Sequence, residues 1–244
     1  MPRLGAVVLA CAALAVRAED APLRSAGVQI TLRGDAVRED LLVPLTFGGG
    51  GFRVAGFFRG SLGPGQLLAR ASFGFAPIFD RFGDLAATLD YGLDAAWLLP
   101  ASAHFSLGPM FAWETRINYL YRWDDAHAYW LGTQWLGLAA RFSTPLSSEW
   151  RLEVAGSMAL LGFEGRPPAY RLIKQEGVDR VAYYFSAPLQ SESFSTPATL
   201  QAFRLDVSLR RALGWSLGLE TSFTRAPLPA PNFNLSVGLS ASRA

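Results

Sequence analysis

Bulky apolar residues recur at every second position through most of this chain. Phe105, Leu107, Pro109, Phe111, Trp113, Thr115, Ile117 and Tyr119 alternate with His104, Ser106, Gly108, Met110, Ala112, Glu114, Arg116 and Asn118. A period of two marks a strand with unlike faces, and no helical stripe fits that stretch. The same period runs through 27–33, 52–62, 67–79, 130–142, 150–160, 203–210, 215–223 and 233–240. Segment 85–99, "LAATLDYGLDAAWLL", is ambiguous by itself. Leu85, Leu89 and Leu93 lie four apart, as do Asp90 and Asp94, and Asp84 could cap a helix there. Its odd positions are all apolar or aromatic and its neighbours on both sides are strands, so it is assigned as a strand. About ten such segments result. Most are near the ~9–11 residues that a tilted strand needs to cross a bilayer.

The two faces differ in kind. One carries Leu, Val, Phe and Trp; the other carries Gly, Ala, Ser and Thr with single Arg, Asp and Glu residues among them. A solvated sheet face would be rich in Lys, Glu and Thr. Here Lys174 is the only lysine, 17% of residues are charged and the mean hydropathy is positive. No apolar run outside the first segment is long enough for a membrane helix. The pattern predicts an all-β, antiparallel up-and-down barrel of about ten strands, lipid outside and a packed polar lumen inside. Twelve strands result if 164–197 adds a hairpin or 41–48 is a strand of its own. The net charge of +2 points to no class of partner.

The first segment, "MPRLGAVVLACAALAVRAED", reads as a secretory signal peptide over residues 1–18, with the barrel domain over 19–244. A buried N-terminal helix and a lipoprotein signal acylated at Cys11 are the alternatives. Cleavage after Ala18 leaves no cysteine. Segments 63–66, 100–103, 143–149 and 211–214 read as tight turns. They alternate with generally longer loops at 34–51, 80–84, 120–128, 164–197 and 226–231. Trp97, Phe142, Trp150 and Trp215 flank the short turns. Tyr119, Tyr121, Trp123, Tyr129, Trp130, Phe79 and Phe223 gather near the other rim, so two aromatic girdles are predicted.

With these features the chain, from about Gly27 to its end, resembles bacterial outer-membrane β-barrel proteins as a class. The resemblance implies residence in the outer membrane, contact with its lipid, and insertion by the barrel-assembly machinery. Such proteins usually end in an aromatic residue, whereas this chain ends "LSVGLSASRA". Pro109, mid-strand and without an N–H, predicts a bulge or an offset.

The predicted lumen network comprises Arg53, Arg59, Arg70, Asp90, Asp94, Glu114, Arg116, Arg141, Arg151, Glu153, Arg204, Asp206, Arg210 and Glu220. Arg70, Arg116 and Arg59 are the expected partners of Asp90 and Asp94. Glu114 with Arg116, Arg151 with Glu153, and Arg204 with Asp206 are expected to pair along their strands. This reading makes the chain a non-enzymatic structural or surface protein, or a narrow pore. An enzymatic alternative rests on "HFS": outer-membrane lipid A deacylases similarly use a His-x-Ser strand pair with an acidic partner, here His104, Ser106 and Glu114. Its position on the lumen side of a short turn argues against it. A third reading is a secreted soluble barrel that binds an apolar ligand, with its bulky face inward. His127 beside Asp124 and Asp125 could bind a metal, but an aromatic-rich loop is the simpler reading. No cofactor or nucleic-acid motif is present. Loop 164–197, rich in charge and tyrosine, is a candidate for an extracellular ligand.

Overall fold

The computed structural model describes residues 24–39, 43–120, 127–165, 192–211, 214–226 and 232–243. They form β1 (Arg24–Glu39), β2 (Val43–Leu62), β3 (Gly65–Phe79), β4 (Leu85–Pro100), β5 (Phe105–Leu120), β6 (His127–Pro145), β7 (Trp150–Gly165), β8 (Glu192–Ser195), β9 (Gln201–Arg211), β10 (Trp215–Ala226) and β11 (Asn232–Arg243). Each strand from β1 to β7 pairs antiparallel with the next. β7 pairs with β9, β9 with β10, β10 with β11, and β11 closes on β1. Ten strands therefore make a closed barrel, and segment 85–100 is one of them. The eleventh, β8, pairs only with the far end of β7. Met158 faces Phe203 and Gly162 faces Ser195. Four steps along β7 thus match eight along the opposing chain, and the surplus forms a turn at 196–200. The remainder of the expected 164–197 loop lies outside the described residues, as do Asp124, Asp125 and the first 23 residues.

The inside and the outside are unambiguous. Leu32 is 68% exposed and its neighbour Arg33 is 5% exposed. Bulky apolar side chains such as Ile30, Phe52, Phe73, Phe111, Leu205 and Leu217 form an exposed belt around the barrel. The soluble alternative, which needs that face inward, is thereby overturned. Two kinds of tight connection explain how the strands reverse. Gly63 has φ of 58° ahead of Pro64, the type II′ sense favoured in two-residue hairpins. The four-residue turns after β4 and β6 share one device: the hydroxyls of Ser102 and Ser147 each accept from two backbone N–H groups, those of His104 and Phe105 and those of Glu149 and Trp150.

Three local expectations are corrected. Residues 34–39 and 43–51 are strand, not loop, and 43–48 belongs to β2 rather than to a separate strand. The glycine run 48–51, which reads as a loop, instead lets β2 approach β3 closely. A Cβ on Gly49 would lie 2.0 Å from the Pro77 carbonyl oxygen, and one on Gly51 would lie 2.1 Å from that of Phe75. Gly51→Val is therefore expected to cost about 1–3 kcal/mol through backbone overpacking. It would show as a lower urea midpoint of the refolded protein, although valine ordinarily favours strands. Finally, Pro109 makes neither a bulge nor an offset. Pairing between β4 and β5 lapses opposite it and resumes in the same register, from Ala96 with Met110 to Leu99 with Leu107. The register shifts fall elsewhere, at Arg38/Glu39 and at Leu136/Gly137. The second turns both Leu160 and Leu161 outward.

The lumen is not purely polar. Val37, Phe47, Ala76, Ile78 and Ala86 pack together toward the loop end. A second cluster lines one wall: Leu98, Met110 and Trp135 with Leu200 from the 196–200 turn. Ala96, Ala112 and Ala159 leave room for the indole.

Candidate functional site

Alternation places one charged side chain at a time on the inner wall, and closure brings them together in three tiers. Nearest the loop end, Asp90 accepts from Arg53 at 3.1 Å and pairs with Arg33. Arg33 in turn lies 2.9 Å from Asp35. All four side chains are at least nine-tenths buried. Gly74 makes this possible, since a Cβ there would lie 2.8 Å from an Asp90 oxygen. Arg116 stands beside Asp90 in register.

In the middle tier Asp94 binds Arg70 at 3.0 Å and Arg204 at 2.6 Å. Arg204 also binds Glu114. Glu220 lies 3.6 Å from Arg70 and accepts from Gln29 and Thr31. Asp206 faces Glu220 directly across the β9–β10 pair, a like-charge juxtaposition that is unfavourable. The lowest tier gathers around Glu153, with Arg141 at 2.6 Å, Arg59 at 3.0 Å and Arg210 at 3.7 Å. Arg141 also donates to Gln66.

The tiers alternate in sign. Two arginines face four carboxylates in the middle, and three arginines face one carboxylate below. The lowest tier separates two cavities. One, of about 170 Å³, lies between the middle and lowest tiers, with Leu68, Ala96, Leu98 and Met110 on its apolar side. The other, of about 490 Å³, opens at the turn end and is lined by Arg59, Arg141, Arg151, Arg210, Arg211, Glu149 and Glu153 with Ser25, Gln66, Ser147, Ser148 and Trp150. Arg59, Arg141 and Glu153 border both cavities.

Partner choice differs from that expected along single strands. Glu114 pairs with Arg204 rather than Arg116, Glu153 with three arginines other than Arg151, and Arg204 with Asp94 rather than Asp206. Arg59 reaches Glu153 instead of Asp90 or Asp94. Arg151 sits exposed at the mouth. Arg33, Asp35, Gln29 and Gln66 join the network from outside the expected set. The signal for the first two is simple: Thr31, Arg33 and Asp35 continue one alternating face if the strand is carried past Gly34.

The candidate hydrolase residues are not brought together. His104 lies in the turn before β5, where its Nδ1 meets the Ser143 carbonyl oxygen at 3.0 Å. Glu114 is held by Arg204, and eight residues of extended strand, about 26 Å, separate it from Ser106. Among the described residues no cluster of His, Cys, Asp and Glu has the makings of a metal site.

Phe142, Trp150 and Trp215 are exposed near the turn end, and Trp97 donates to the Leu62 carbonyl oxygen at 3.0 Å. At the other end Tyr119 is half-buried and the side chain of Tyr129 lies outside the described set. Trp130 is 1% exposed, so it cannot serve in a lipid-facing girdle.

No model of a known protein family matches the chain, and a search of curated proteins finds none similar to it in sequence. Among solved structures it is similar to the translocator domain of the autotransporter NalP from Neisseria meningitidis, at 11% identity and a TM-score of 0.47, covering 99% of this chain and 94% of that one. It is also similar to the outer-membrane protease OmpT from Escherichia coli, at 8% identity and a TM-score of 0.48, covering 93% and 99%. The β domain of the Bordetella autotransporter BrkA gives 12% identity and a TM-score of 0.42, covering 89% and 98%. At such values the likeness is one of general barrel architecture and transfers no activity.

Proposed function

We propose that this chain is an outer-membrane barrel with a plugged lumen, a structural or surface protein rather than an open pore or an enzyme. The observation that carries this is the combination of an exposed apolar belt outside with buried ion pairs inside a closed ring of ten strands. A belt of that extent is far beyond the apolar patches that soluble monomers expose. The plug follows from the tiers. An anion entering the basic tier meets an acidic one behind it, a cation is repelled at the mouth, and both then face the buried apolar cluster around Phe47 and Ile78. Outer-membrane lipid and the barrel-assembly machinery are the partners this reading requires.

The test uses the mature protein refolded in detergent. Unboiled samples should migrate differently from boiled ones in SDS gels, and the protein should show no discrete conductance steps in planar bilayers. Two cavities in series favour a second reading, a narrow pore gated at Glu153. Regular steps from the wild-type protein would establish that reading instead. Solubility without detergent and no heat shift would remove the membrane assignment altogether.

A further inference from the structure

We infer that the mouth at the turn end is a binding site for a small multivalent oxyanion of the phosphate class. Among the described residues that line it, five arginines face two glutamates. Glu149 is taken at the rim by Arg211, at 3.0 Å. That leaves Glu153 as the one carboxylate for Arg59, Arg141 and Arg210. A carboxylate offers about four lone-pair sites, while three guanidinium groups offer about fifteen N–H donors. The floor of the cavity therefore carries unspent positive charge and unspent donors.

A second observation points the same way. Arg151 and Arg210 are register partners across β7 and β9, on the same inner face, and both line the mouth. Like charges directly opposite in a sheet repel. Arg151 makes no ion pair among the described residues, and the carboxylate that Arg210 reaches, Glu153 at 3.7 Å, is already shared with Arg59 and Arg141. An oxyanion seated between the two guanidinium groups would bridge them with bidentate hydrogen bonds, the geometry for which arginine is suited. The acidic middle tier behind Glu153 makes this a blind pocket that holds the anion without passing it on. The inference does not require the membrane assignment, because heat-shift behaviour and anion binding are separate measurements.

The test is calorimetric titration of the refolded full mature chain with inorganic phosphate and pyrophosphate. Ionic strength is held fixed with chloride, and the fluorescence of the tryptophans, Trp150 at the mouth among them, is followed in parallel. Saturable binding is expected, tighter for pyrophosphate. Arg151→Gln and Arg210→Gln should each weaken it at least tenfold. Arg225→Gln, which removes one exposed charge at the opposite end of β10, should leave it unchanged. Retained heat-shift behaviour would certify each variant as folded, and Arg151, being exposed and outside the ion pairs, is the one least apt to perturb folding. Absence of saturable binding, or equal weakening by Arg225→Gln, would overturn the inference.

Discussion

Asp90→Asn should be among the most destabilising single changes in this barrel, at about 3–5 kcal/mol. Asparagine keeps the shape of the side chain but removes its charge and turns one acceptor oxygen into an N–H donor. Asp90 is the carboxylate between Arg33 and Arg53, whose side chains are 1% and 9% exposed. Without it Arg33 retains Asp35, but Arg53 loses the partner it holds through both Nε and Nη2. A buried, uncompensated guanidinium is then left in a lumen whose walls are only one strand thick. The contrast is Asp206→Asn. Asp206 faces Glu220 and takes part in no ion pair among the described residues, so its neutralisation should leave stability within about 1 kcal/mol of wild type, on the stabilising side if anything. Urea titrations of both variants in one detergent or lipid give the comparison. Two small, equal losses would mean that the lumen is wet enough to screen the charges and that the tiers do not act as a plug.

The fold is legible because a closed barrel with an apolar exterior needs one rule only, an outward apolar residue at every second position. That rule survived the helix-like spacing of Leu85, Leu89 and Leu93, since no alternative satisfied their neighbours. It failed where backbone proximity rather than side-chain polarity chose the residue. Gly34 and the run Gly48–Gly51 interrupt the alternation without interrupting the strands, and Arg33 and Asp35 were missed with them. Pro109 predicts a bulge or an offset, yet the ladder loses its pairs there without losing register. Alternation puts Asp90, Glu153 and Arg204 on the buried inner wall, but it does not choose their partners. Glu114 and Arg204 are ninety residues apart and meet only because the barrel closes. Spacing along one strand carries no information about which side chains face each other across a lumen.

Leu239→Arg provides the sharpest separation between a membrane barrel and any soluble one. Leu239 is 70% exposed and registers with Leu32 on one side and Leu219 on the other, so it stands in the belt rather than at its edge. It lies four residues from Arg243 at the turn-end rim. Those residues span about 13 Å along the strand. At a strand tilt of ~40° that is about 10 Å of depth, close to the midplane of an apolar band ~25 Å tall. An arginine there should cost about 2–4 kcal/mol when folding is measured into lipid vesicles, whereas the same change at Ala241, two residues nearer the rim, should cost about 0–1 kcal/mol. On a water-exposed surface both changes would fall within about 0.5 kcal/mol of wild type. The quantity to compare is the difference in unfolding free energy between the two variants in the same vesicles. A graded loss requires a low-dielectric medium outside the barrel, since nothing inside it touches either side chain. Two small, equal effects would require water there, and the membrane assignment would fall.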